Sequence, residues 1–273
     1  MKKTSPEPRG LLVGIKEFLD ESLGAKLSTA KLCTKGSALA LGRGDRPALD
    51  LERVVEAMWK QIATNWVEGG CQWRGNENWR WALRTNLDVK KTNPSREVRL
   101  NRTLARALSR TPNKDRWANE IPTGSGLVEE GGTAPGGLDF AYHCSPDRMV
   151  LIELKNNANT DNPVSAAFQV VIYALVLTLA RLVHARLRSL QTPITISDKW
   201  RLAKHADLRV IEPTSYYTRY PKLGWFEDRL NTGIAAFGAR QDIAMSFAFR
   251  RFDEEPTDEL QLLAALERKV EWH

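Results

Sequence analysis

Between positions 136 and 157 the chain reads GGLDFAYHCSPDRMVLIELKNN, and three of these residues, Asp139, Glu153 and Lys155, have the types and spacing to act together on a phosphate group. Side chains alternate faces along a strand, so Glu153 and Lys155 share one face, about 7 Å apart by the strand rise, while Val150, Ile152 and Leu154 take the other. The turn signal Ser145, Pro146, Asp147 lies midway between Asp139 and Glu153. A hairpin centred on Pro146 therefore sets Asp139 across from Glu153, with Cβ atoms about 5 Å apart on one face. Two carboxylates and a lysine that close raise one another's desolvation and repulsion costs unless something compensates. A bound Mg²⁺ does so, because it takes oxygen ligands and commonly uses one or two carboxylates plus phosphate oxygens. Lys155 can then position and help deprotonate a water for in-line attack on phosphorus, while the cation stabilises the developing charge. An exposed cross-strand ion pair uses the same residue types. Met149 and Leu151, however, share the face of Glu153 and Lys155 and point to a half-buried site.

The elements that must hold these residues are legible on either side. Trp117 to Pro122, Gly137 to Cys144 and Arg148 to Lys155 read as three strands, with glycine-rich turn material from Gly124 to Gly137 between the first two. Upstream, Ser95 is an N-cap for a helix running to about Ser109. Within it Glu97, Leu100, Leu104 and Leu108 fall on one stripe, which puts the carboxylate at the head of the apolar face. The opposite face carries Arg99, Arg102, Arg106 and Arg110 at the same spacing. Two readings fit that stripe: a track for a phosphate backbone, or a solvated surface. Downstream, Asp161 or Asn162 caps and Pro163 starts a long apolar helix ending near Ala185. Its core, Ala166 to Ala180, is shorter than a membrane span needs and includes Gln169, Tyr173 and Thr178, so a buried helix and no membrane are expected. Leu208 to Ile211 and Ala244 to Phe252 read as further strands, and Thr257 to Val270 as a terminal helix.

Asp139, thirteen residues, then Glu153-Leu154-Lys155 closing an apolar strand resembles the PD-(D/E)xK nuclease superfamily. Gln169 and Tyr173 in QVVIYALVL are similar to the Q-x-x-x-Y signature of RecB-type members and lie four apart on one helical face. Two buried polar groups satisfying local backbone are the plainer reading of that pair. The resemblance implies a restriction-endonuclease-like α/β fold, an α-β-β-β-α-β core with a mixed central sheet flanked by helices. It implies Asp139 and Glu153 as metal ligands, Lys155 as the catalytic lysine, and Glu97 as the acidic residue that many members place on the helix before the sheet. Gln169 and Tyr173 join that catalytic set by the same likeness. The proline that usually precedes the aspartate is replaced by Leu138. The likeness runs from about Ser95 to Pro213. The cofactor it implies is Mg²⁺, with Mn²⁺ able to substitute. The partner it implies is nucleic acid, expected to be DNA, with Arg99, Arg102 and Arg106 as binding residues. RNA cleavage and non-catalytic nucleic-acid binding are the alternatives, and a homodimer would let two sites cut two strands.

The remainder of the chain sets bounds. Residues 1–92 read as a helical, tryptophan-rich subdomain and 93–273 as the nuclease-like core with a C-terminal extension. Leu51 to Trp66 is the clearest amphipathic stretch. Trp59, Trp66, Trp73, Trp79 and Trp81 fall in the first part, and Trp73, Trp79 and Trp81 alternate with Arg74, Arg80 and Arg84. Rings among arginines can stack bases and hold phosphates, or fill a small core. The same choice applies to Tyr216, Tyr217, Tyr220 and Trp225. A net charge of +7 favours polyanionic partners. Cys33, Cys71 and Cys144 lie far apart, which excludes a disulfide framework or a four-cysteine cluster and suits a reducing cytoplasm. His143, His184 and His205 lack zinc-ligand spacing.

Overall fold

The computed structural model describes residues 10–23, 49–69, 79–85, 95–123, 137–156, 162–187, 196–218, 220 and 223–272. Cys33, Cys71, Trp73, Arg74, Asp161 and the glycine-rich run 124–136 lie outside the described residues. Five strands, β1 (Trp117–Pro122), β2 (Gly137–Ser145), β3 (Arg148–Leu154), β4 (His205–Pro213) and β5 (Ala244–Phe252), form one sheet in the order β1-β2-β3-β4-β5. β1, β2 and β3 pair antiparallel, whereas β3, β4 and β5 run parallel, so the α/β sheet is mixed as expected.

Each parallel step needs a crossover, and a helix supplies both. α4 (Pro163–Leu187) links β3 to β4, with the short α5 (Asp198–Leu202) after it, and α7 (Gly224–Arg240) links β4 to β5 after the single turn α6 (Thr214–Tyr217). α4 and α7 lie on one face with Met149, Leu151, Leu208, Val210, Phe247 and Phe249. The other face holds α3 (Arg96–Leu108) and α8 (Glu259–Glu267), whose Leu100, Leu104, Leu108, Leu262 and Leu266 pack on Phe140, Val150, Ile152 and Ile211. In chain order the main elements here are α3, β1, β2, β3, α4 and β4, with the short α5 before β4.

α4 is apolar nearly all round because it is covered nearly all round, by the sheet and by α2 (Leu51–Glu68). Its most apolar window is long enough to cross a membrane, yet 78% of that window is buried inside the protein. Asn162 is its cap, accepting from the Ser165 N–H at 2.9 Å.

The expected division near residue 92 does not separate two cores. α1 (Ile15–Leu23) and α2 share a single buried cluster with α4 and α7. The apolar stripe of α2, with Val55, Met58 and Ile62, finds its partner in α7 nearly two hundred residues later. Gly233 makes that approach possible: a Cβ there would meet the backbone of Glu52 at 3.0 Å.

Both edges of the sheet are occupied. At β5, Asn231 Oδ1 accepts from the Phe247 N–H (2.8 Å) and Glu227 Oε1 from the Phe249 N–H (3.1 Å), so two α7 residues four apart fill the unpaired rungs. At β1, the 79–85 segment lies alongside. Trp79 N–H donates to Pro122 O (2.9 Å), Asn119 N–H to Ala82 O (3.2 Å) and the Asn119 amide to Arg84 O (3.2 Å).

The tryptophans in this region are packed rather than presented. Trp79 is 1% exposed and meets Trp200 edge-on at 5.3 Å, Trp81 lies 4.8 Å from Trp200, and Trp59 sits against Phe237. Tyr216, Tyr217 and Tyr220 are likewise buried, and Trp225 is half-buried against Phe226. For these aromatic residues the packing alternative is the one observed.

Candidate metal and phosphate site

The hairpin follows the expected register. Phe140 faces Ile152, Ala141 faces Leu151, Tyr142 faces Val150 and His143 faces Met149, which extends to Asp139 beside Glu153. The pairing slips by one residue between His143 and Ser145, so the irregularity sits at the turn and leaves the far end in register. Lys155 lies one residue beyond β3, its N–H held by Ile211 O at 2.9 Å. All of this gathers at the carboxyl ends of β3 and β4, where open α/β sheets commonly place ligands.

Three elements each bring a carboxylate. Glu97 comes from the first turn of α3, Asp139 from β2 and Glu153 from β3, and one oxygen of each lies within 4.8 Å of the others. Lys155 Nζ sits among them, 2.8 Å from Glu153 Oε1 and 3.2 Å from Glu97 Oε1. Glu153 and Lys155 are 1% and 3% exposed, so these charges stand largely out of water. Asp139 is fixed at both oxygens: Asn101 Nδ2 donates to Oδ1 (2.7 Å) and the Leu154 N–H donates to Oδ2 (2.9 Å).

The electrostatics follow from that crowding. Burial pushes the Asp139 carboxyl well above the usual carboxylate range, and the Glu153 charge adds to it while Lys155 opposes. Burial works against the Lys155 charge, but Glu153, Asp139 and Glu97 outweigh it and hold the ammonium's pKa well above the usual lysine range. The surrounding carboxylates thus favour the charged form of Lys155 at the place where the sequence sets a lysine beside the two acids.

Tyr173 is buried and close enough to feel Glu153; burial raises its phenol, with the Glu153 charge adding to the effect. Gln169 Nε2 donates to the Tyr173 hydroxyl at 3.0 Å, so the two form a polar pair on α4 facing the same end of the sheet. Of the arginines, Arg99 and Arg106 are exposed on α3, and Arg110 is exposed in the turn just after it. Arg102 departs from that stripe: it is half-buried and ion-paired with Glu120 at 3.8 Å.

Asn101 is the site residue that sequence reasoning missed. It lies four residues after Glu97, one turn along the same helical face, and that spacing was the available signal.

A divalent cation fits this donor set. The ligands are all carboxylate oxygens, which suits a hard ion such as Mg²⁺ rather than zinc. With one oxygen of each within 4.8 Å of the others, a modest side-chain adjustment would bring all three onto one ion. Three carboxylates against one lysine leave a net negative charge for it to offset. Among the described residues this is the one group of acidic, histidine or cysteine side chains close enough to hold an ion.

No family model matches the chain, and comparison with curated proteins and with solved structures yields no match either.

Proposed function

We propose that this chain is a divalent-metal-dependent nuclease that hydrolyses phosphodiester bonds, DNA being the substrate expected, on a restriction-endonuclease-like core of PD-(D/E)xK type. One observation carries the reading: carboxylates from α3, β2 and β3 converge to within 4.8 Å beside a lysine held 2.8 Å from Glu153. The order of elements and the mixed sheet support the same reading.

Glu97, Asp139 and Glu153 would hold the ion, with Asn101 and the Leu154 N–H fixing how Asp139 presents its oxygens. Bound Mg²⁺, or Mn²⁺ in its place, supplies a Lewis acid beside the scissile phosphate. Hydrolysis joins a water oxygen to phosphorus, breaks the bond to the leaving oxygen and returns a proton to it. Lys155 brings a preorganised positive charge to the phosphate oxygens as charge builds there. Gln169 and Tyr173 offer an amide and a hydroxyl at the same end of the sheet for orienting the strand. Arg99 and Arg106 on α3, exposed beyond Glu97, suit contacts with the flanking backbone. Repair, restriction and phage conflict are the settings such an activity serves.

A second reading has its own observation. Lys155 ion-pairs with both Glu153 and Glu97, which also fits a structural charge network. The two separate on purified protein incubated with duplex DNA, single-stranded DNA and RNA, with Mg²⁺ or with chelator. The nuclease reading expects metal-dependent cleavage that both Glu153→Gln and Lys155→Met abolish. Cleavage that survives both substitutions would overturn it, and Mg²⁺ binding absent by calorimetry would favour the structural network.

A further inference from the structure

At the other end of the sheet α4 carries an unrelated feature. Pro163–His184 is a 22-residue stretch whose single Lys, Arg, Asp or Glu is Arg181. By the helix rise of about 1.5 Å per residue, Arg181 lies about 12 Å along α4 from Tyr173, so it belongs to no part of the carboxylate site. It faces a cavity of about 370 Å³ lined by Thr178 and His184 from α4, Arg201 from α5, and Gln241 and Asp242 from the turn between α7 and β5. That volume lies within the usual range for ligand pockets, about 300–1,000 Å³.

The guanidinium is not satisfied where it stands. Its Nη1 is wholly buried and meets no hydrogen-bond acceptor among the described residues. Burial lowers the Arg181 pKa from the usual arginine value, with only the Asp242 charge opposing. Arg181 and Arg201 outnumber Asp242 in the lining, and Asp242 is also engaged by Lys204 at 3.0 Å, so the lining carries an excess of positive charge. Arg201 gives its Nε and Nη2 to Asp198 at 2.9 and 2.8 Å, which holds a second guanidinium in the lining. A cation that is desolvated with so little opposing charge is costly, and an anion brought into the cavity beside it offsets that cost. Guanidinium groups match phosphate oxygens, and two of them on one cavity favour a doubly charged anion over a carboxylate.

We propose that the cavity between α4, α5 and the α7–β5 turn is a binding site for a phosphate monoester dianion, with Arg181 as its central donor. The dianion can come as free phosphate, as a mononucleotide or as the terminal phosphate of a strand, and all three present the same oxygens.

Binding is read by calorimetry in chelator, without divalent ions, so the result is independent of whether the carboxylate site cleaves anything. The probes are inorganic phosphate, a nucleoside 5′-monophosphate, a short oligonucleotide with and without a 5′-phosphate, and acetate. The wild-type protein is expected to bind at least one phosphate probe, with acetate and the unphosphorylated strand weaker by about tenfold or more. Arg181→Met and, separately, Arg201→Gln should each weaken that probe by about tenfold, with circular dichroism unchanged. The pattern among phosphate probes identifies the source. No binding of any phosphate probe, equal binding of acetate, or affinity unchanged in a folded Arg181→Met protein overturns the proposal.

Discussion

Asn101 donates its side-chain amide to Asp139 across 2.7 Å, from a helix whose apolar residues pack on the face of the sheet opposite α4. α3 thus reaches round the end of the sheet to fix a carboxylate that β2 supplies. Partners of this kind, one step back from the ligands, tune metal affinity by about 10–100-fold. Asn101→Ala is therefore expected to weaken Mn²⁺ binding by about that factor with the fold intact. Calorimetric titration with Mn²⁺ measures it, and an unchanged affinity would show that the Leu154 N–H alone holds Asp139 in place.

Asp139 also gives the metal-free protein a particular pH dependence. Its folded pKa is raised by burial and by Glu153 above the unfolded value of about 3.9. Between those two values the native state binds more protons than the unfolded state, so this group's contribution to stability falls as pH rises. Asp139→Asn removes the titrating group, and in chelator it should gain on the wild type as pH climbs from 4 towards neutrality. Saturating Mg²⁺ should reverse the order near neutral pH, since the cation stabilises the ionised carboxylate. Urea denaturation across that range, with and without Mg²⁺, checks both signs; a variant-to-wild-type difference flat in pH would refute them.

The arginines of α3 should not behave alike. Arg99 and Arg106 are exposed, whereas Arg102 is paired with Glu120. If the exposed pair contacts phosphates, replacing both by alanine should lower the slope of log affinity against log salt by about 2, close to one per lost contact. Arg102→Ala alone should change that slope little. Fluorescence anisotropy with labelled duplex DNA across a salt series reads all three, and an equal effect from Arg102 would mean that its ion pair opens on binding.

Asn231 supports β5 from outside the sheet. Phe247 is 3% exposed and its N–H relies on the Asn231 carbonyl. Asn231→Ala leaves that donor buried and unmet, at a cost of about 1–3 kcal/mol. Asn231→Asp keeps an acceptor and should lose less. Chemical denaturation of the two variants provides the comparison, and equal losses would place the effect in packing instead.

What the sequence made legible was what local pattern controls. The hairpin register followed from the alternation of β3 and the position of Pro146, and Glu97 followed from the 3.6-residue stripe of α3. α7 escaped notice because Gly224, Gly233 and Gly238 interrupt its helical pattern, although at least one of them is small for the sake of a neighbour's backbone. The N-terminal helices read as separate because nothing local reveals that Met58 and Ile62 are completed by residues far down the chain. Asn101 was hidden by being uncharged in a polar stretch, and the ion pair that removes Arg102 from its stripe depends on β1, an element no periodicity in α3 encodes.

The covered margins of the sheet limit how two copies of this chain can meet. Among the described residues, α7 caps two N–H groups of β5 and the 79–85 segment bonds to β1, so both flanks are partly closed to a sibling molecule. That closure favours helical or loop surfaces, side chain to side chain, for any twofold assembly. The same closure denies foothold to misfolded neighbours that would otherwise zip on strand by strand.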